Sequence, residues 1–131
     1  MSLGSLVHGL AHIGIRVHDL GRSRAFYERL GFIFVWGPEG PEPVAAMQHP
    51  SGLELNFILN APAASEPNVL MDLPQKHAGI THIALKIEGV DAVEQALKEA
   101  AIRISGRRGK SPVQALFVRD PDGNVIELAA D

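Results

Sequence analysis

The sequence predicts an α+β fold: two tandem βαβββ units forming a curved, cavity-lining mixed sheet with the helices outside. Three observations predict it. First, THIALKIEGVDAVEQALKEAAI at residues 81–102 lies without a gap on HIGIRVHDLGRSRAFYERLGF at 12–32. His82 falls on His12, Ile83 on Ile13, Leu85 on Ile15 and Lys86 on Arg16. Second, each copy starts with period-two alternation and passes into helical spacing. Third, short apolar runs separated by Gly and Pro turns follow each helix, as strands joined by tight turns do.

Taken in order, residues 10–17 form the first strand. Ala11, Ile13, Ile15 and Val17 make its apolar face, with His12, Gly14 and Arg16 opposite. Asp19 caps a helix running to about Leu30, and Gly31 stands where a glycine ends one. Ser23, Phe26, Tyr27 and Leu30 form that helix's inward stripe. Strands follow at 32–36, 44–49 and 53–59, with GPEGPEP as a loop and Pro50-Ser51-Gly52 as a turn. In the last of these, Glu54, Asn56 and Ile58 share a face. The first unit spans 8–60 and a linker rich in Pro and Ala spans 61–79. Its NVLMDLP centre packs locally or lies over a cavity. The second unit, 80–131, holds strands at 80–87, 102–105, 113–118 and 124–129, a helix at 91–101 and a DPDG turn at 120–123. Arg107-Arg108-Gly109-Lys110 is expected in a solvated loop. The whole chain, 1–131, is one domain in length.

Composition narrows the function. The 131 residues are 46% hydrophobic and 21% charged, ordinary for a globular protein. A net charge of −3 and the lack of a basic stripe argue against nucleic acid. No apolar run reaches the length of a membrane span, and the N-terminus lacks a signal-peptide layout, so the default location is cytoplasmic. With no cysteine, disulfides, thiolate metal sites and cysteine nucleophiles are excluded.

Four polar residues interrupt apolar strands at matching places: His12 and His82 in the first strands, Glu54 and Glu127 in the last, within GLEL and GNVIEL. Singly, a strand histidine is ordinarily a hydrogen-bonded core residue and a strand glutamate a solvated one. A half-buried carboxylate costs several kcal/mol unless a positive group meets it. Four interruptions in symmetric places point instead to one shared divalent metal. Two imidazoles and two carboxylates suit Ni, Zn, Fe, Co or Mn, with water positions left open. Such a metal acts as a Lewis acid on adjacent substrate oxygens while a carboxylate moves a proton alpha to a carbonyl. Glu127 is the expected base, with Glu54 its partner ligand and able to exchange roles. Arg16 and Lys86 share the histidine faces and are placed to hold an anionic end of the substrate. His8, His18, His49 and His77 are expected at the surface.

The paired units, with HIGIRVHDLGRSRAFYERLGF, GLEL, THIAL and DPDGNVIEL, resemble the vicinal oxygen chelate superfamily from about Leu10 to Ala129. Its members include glyoxalase I, extradiol dioxygenases, methylmalonyl-CoA epimerase, fosfomycin-resistance transferases and bleomycin-binding proteins. The resemblance implies metal ligands on the first and last strand of each unit, here His12, Glu54, His82 and Glu127. That set is most similar to glyoxalase I, whose carboxylate-binding arginine Arg16 also matches. The asparagine expected four residues after the first glutamate is replaced by Ile58. The implied function is a glyoxalase I-like lyase or isomerase acting on a small α-oxo or hemithioacetal substrate, a glutathione adduct among the candidates. An Fe(II) extradiol-type dioxygenase and a metal-containing binding or resistance protein without turnover are the alternatives. Units of this kind pair within one chain or across two, and a homodimer is the expected assembly.

Overall fold

Residues 2–62 and 67–131 are described by the computed structural model. Residues 63–66 of the expected linker lie outside them. The chain divides into two compact units, Met1–Pro62 and Ala63–Asp131. In the first, a short exposed helix α1 (Leu3–Leu6) precedes β1 (Ile13–Arg16), α2 (Leu20–Arg29), β2 (Ile33–Glu39), β3 (Val44–Gln48) and β4 (Glu54–Ile58). In the second, β5 (His82–Lys86), α3 (Val90–Glu99), β6 (Ile104–Arg108), β7 (Ala115–Arg119) and β8 (Val125–Ala129) follow in the same sense. The sheet orders are β1-β4-β3-β2 and β5-β8-β7-β6. In both, the first and last strands of the unit run parallel side by side, and the remaining pairs are antiparallel. Each unit is therefore a βαβββ mixed sheet, and the fold is α+β with internal duplication.

The local signals act as their chemistry dictates. The Asp19 side chain accepts from the Arg22 backbone N–H at 3.1 Å. Such a cap contributes about 1 kcal/mol to the helix. Gly31 closes α2 at φ +94°, where a Cβ would stand 2.9 Å from His49 Nε2. Ser23, Phe26 and Tyr27 are the buried stripe of α2. The Tyr27 ring lies 5.0, 5.7 and 5.4 Å from those of Phe26, Phe32 and Phe57. With Val17, Met47 and Leu55 they form the first core; Leu97, Ile102, Leu116, Val118, Ile126 and Leu128 form the second. The opposite face of β1, with Gly14 and Arg16, is exposed. His49 departs from a plain surface position: it is half-buried, and its ring stands 5.1 Å from Phe32.

Two segments differ from expectation. GPEGPEP is not wholly a loop, because β2 runs on through Gly37 and Pro38 to Glu39. Strand β2 lies at the sheet edge and shifts register on both sides of Trp36. Edge strands and bulges tolerate a proline that has no N–H to donate. Gly37 is required there: at φ +105° an added Cβ would meet Val44 O at 2.5 Å. Arg107 and Arg108 are likewise not loop residues but the end of β6, paired with Leu116 and Ala115. Their side chains part by strand alternation. Arg107 reaches Glu94 on α3 at 3.1 Å, and Arg108 reaches β8.

The described part of the linker packs locally. Asn68 Oδ1 accepts from the N–H groups of Leu70 and Met71, closing a turn. Its Nδ2 donates to Asp122 O and Asn124 Oδ1 in the DPDG corner. Arg119 bridges Asp72 and Gly123 O at 3.1 and 2.8 Å. The linker is thus fastened to the turn that launches β8. Among the described residues no helix is long and apolar enough to cross a membrane.

Candidate metal centre

In the second unit, pairing of β5 with β8 sets Ala84 beside Glu127 and His82 beside Val125. His82 and Glu127 are therefore diagonal neighbours on one face. His82 Nε2 stands 3.3 Å from Glu127 Oε1. The other ring nitrogen, Nδ1, lies 2.8 Å from Thr81 Oγ1. That contact restrains the ring angle and leaves Nε2 facing Glu127. Glu127 is buried, at 8% exposure, and its second oxygen accepts from Arg108 Nη2 at 2.9 Å. The same guanidinium donates to both Asp131 oxygens at 2.8 and 2.9 Å. Hydrogen bonds to Asp131 and then to Glu127 push the Arg108 pKa upward, fixing it as a cation. Arg108 in turn holds the Asp131 carboxyl below the usual carboxylate range.

In the first unit, β1 and β4 pair Ile13 with Leu55, Gly14 with Asn56 and Arg16 with Ile58. Ile13 and Ile83 are equivalent across the duplication, so Leu55 matches Ile126 and Asn56 matches Glu127. Glu54, expected as the counterpart of Glu127, lies two residues earlier on the same strand face. It accepts from Gln48 Nε2 at 2.8 Å across β3. Asn56 bears to His12 the relation that Glu127 bears to His82. Its Oδ1 is buried and lacks a hydrogen-bond partner among the described residues. A buried acceptor left unpaired costs about 1–3 kcal/mol, so an orphan on this face implies something that meets it. His12, the residue before β1, is exposed.

The expected substrate contacts differ in their surroundings. Arg16 Nε donates to Asn60 Oδ1 at 2.7 Å, and Nη2 lies 3.2 Å from Glu42 Oε1. Hydrogen bonds from Asn60 first and Arg16 second lower the Glu42 pKa. An anion approaching Arg16 has to displace Glu42. Lys86, the last residue of β5, shares the exposed face of His82 and Ala84.

In the second unit the His82 ring nitrogen and the Glu127 carboxylate are spaced as two neighbouring donors to a divalent cation. A carboxylate oxygen and a ring nitrogen at 3.3 Å need a proton or a cation between them. Adjacent nitrogen and oxygen ligands at bond lengths of about 2.1 Å are separated by roughly 3.0–3.4 Å, matching that spacing. Among the described residues no three His, Asp or Glu side chains are gathered into one cluster. The structure brings together His82 and Glu127. It adds Arg108, which basic composition alone placed in solvent.

Comparison with known proteins agrees with this architecture. Residues 9–128 match the model of the Glyoxalase/Bleomycin resistance protein/Dioxygenase superfamily. The chain is 29% identical to the mitochondrial methylmalonyl-CoA epimerase of Bos taurus, over 91% of this chain and 72% of that one. It is also 29% identical to Glyoxylase I 4 of Arabidopsis thaliana, over 91% of this chain and 68% of the relative. The fosfomycin resistance protein FosX of Listeria monocytogenes, solved with Mn(II) and a sulfate ion, superposes with a TM-score of 0.67 at 21% identity. That superposition covers 95% of this chain and 90% of FosX. With its duplicated βαβββ sheets and a family match across nearly its whole length, the chain belongs to the glyoxalase/bleomycin resistance/dioxygenase superfamily, the vicinal oxygen chelate fold.

Proposed function

We propose that this protein is a divalent-metal-dependent lyase or isomerase of glyoxalase I type, moving a proton on a small α-oxo or hemithioacetal substrate. The observation that carries the proposal is the His82–Glu127 pair at 3.3 Å with Arg108 bracing the far carboxylate oxygen. The names of its relatives, an epimerase and a glyoxalase, describe chemistry of the same kind, and the Mn(II) in FosX supports a first-row ion. In the second unit His82 and Glu127 would hold the ion, each giving one donor. When bound, the cation supplies Lewis acidity toward adjacent oxygens of the substrate.

The chain's own residues do the rest. Glu127 accepts the proton alpha to the carbonyl and returns it to the neighbouring carbon. Its burial strengthens every electrostatic contact it makes. Arg108 fixes which way the carboxylate turns, by a charge-assisted hydrogen bond to one oxygen. Thr81 keeps the His82 ring in its ligating orientation. Lys86, on the exposed face of His82, is placed to receive an anionic group of the substrate.

Elemental analysis of protein prepared without a chelating tag or added metal tests the metal half of the proposal. About one first-row divalent ion per chain is the expected content. Metal-free protein that takes up neither Ni, Zn, Co, Mn nor Fe(II) refutes it. Consumption of dioxygen by the Fe(II) form would move the assignment to an oxygenase.

A further inference from the structure

We infer that the second unit carries a carboxylate-binding subsite between Arg108 and Lys86, and that the substrate is accordingly an α-oxo acid. The inference rests on the proton-transfer reading above and names the substrate class for the same site. Its first support is strand register. Lys86 pairs with Ala129, Ala129 with Ala115 and Ala115 with Arg108, so the four stand in one row across β5, β8, β7 and β6. Glu127, two residues before Ala129, lies on the same face one row away. Strands lie about 4.8 Å apart, which sets the two cationic residues about 14 Å apart at their Cα atoms. Long side chains reaching inward reduce that to the span of a small anion, and alanine at both intervening positions keeps β7 and β8 from filling it. Lys86 is exposed and has no ion-pair partner among the described residues.

Its second support is that a carboxylate already lies there. Asp131, two residues beyond β8, accepts from Arg108 through both oxygens, at 2.9 Å from Nη1 and 2.8 Å from Nη2. That two-point grip is how a guanidinium recognises a carboxylate. Nη2 also donates to Glu127 Oε2 at 2.9 Å, so a carboxylate in this seat and the proposed base share one nitrogen. Both members of the Arg108–Asp131 pair are exposed, at 40% and 47%. Exposed ion pairs are weakly held, so a substrate carboxylate exchanges for Asp131 at little cost. Seated there, an α-oxo acid presents the carbons next to its carboxylate to Glu127. A neutral α-oxo aldehyde or ketone has no charge with which to replace Asp131.

Pyruvate and its neutral isostere pyruvamide, titrated into the intact chain with a chelator present and followed by amide NMR shifts, test the subsite without metal or turnover. Pyruvate is expected to bind about tenfold or more tighter than pyruvamide, as charge-assisted pairing requires. Arg108→Gln is expected to reduce pyruvate affinity to the level of pyruvamide. Asp131→Asn, which removes the resident carboxylate and keeps its size, is expected to tighten pyruvate binding about threefold or more. Lys86→Gln is expected to weaken it about threefold. Should thermal unfolding show that Arg108→Gln does not fold, the Asp131→Asn and Lys86→Gln pair decides, because both positions are exposed. Absent pyruvate binding, equal binding of pyruvamide, unchanged affinity in folded Arg108→Gln, or Asp131→Asn no tighter than wild type overturns the inference while leaving proton transfer at Glu127 standing. The expected pyruvate binding by a chain that takes up no first-row ion upholds the subsite and removes the proton-transfer reading.

Discussion

Replacing Glu127 by Gln is expected to lower kcat of the metal-loaded protein by about 10²–10⁴-fold, the contribution of a positioned general base. The substitution keeps shape and volume at a buried strand position, so the neighbours Ala84 and Phe117 remain filled against it. The amide oxygen still accepts from Arg108, and Arg108 retains both Asp131 oxygens as counter-charge. What is lost is the ability to carry a proton. Metal is expected to bind more weakly, because the single amide oxygen serves Arg108 and the NH2 turned toward His82 does not ligate, so kinetics are compared at saturating metal; the unfolding temperature is expected to change by only a few degrees. Steady-state kinetics with parallel metal analysis checks the outcome. Full activity in this variant would shift the base to another residue, with Glu54 the first to examine.

Phe57→Ala is expected to be the most damaging change in the first unit. Phe57 is completely buried on β4, level with Ile15 on β1 and Ala45 on β3, and its ring tilts against Tyr27 at 5.4 Å. Truncating a buried phenylalanine to alanine costs about 3–5 kcal/mol, from lost transfer energy and the cavity left behind. Domains of this size have only about 5–15 kcal/mol in total. Calorimetry should therefore show a fall in Tm on the order of 10–20 °C. A shift under about 3 °C would mean that the α2 stripe and β4 do not share one core.

Much of this was legible in the residues because local physics speaks locally. Alternation in HIGIRV and THIALK fixes which side chains face the helix, and burial follows it. Asp19 and Gly31 bracket α2 because a cap and a left-handed glycine act within a few residues. The duplication was visible for the same reason. Register between strands is set through space, and there the sequence misleads. GLEL and VIEL look alike, so Glu54 appears to match Glu127, yet hydrogen bonding to β1 moves the correspondence to Asn56. Arg108 looked solvated because four polar or flexible residues in a row suggest a loop. Its place on β6, two strands from β8, is what delivers it to Glu127. The bond between Asn68 and the DPDG corner could not be read from either segment alone.

Isomerisation itself bears most directly on the account. Protein loaded with Ni, Zn or Mn is mixed with a panel of α-oxo substrates, including methylglyoxal with glutathione, and products are followed by proton NMR. The expected result is metal-dependent conversion of at least one substrate, abolished by a chelator and restored by the ion. A fully metallated, folded protein that isomerises none of the panel would contradict proton transfer at Glu127 and leave a metal-holding binding protein in its place.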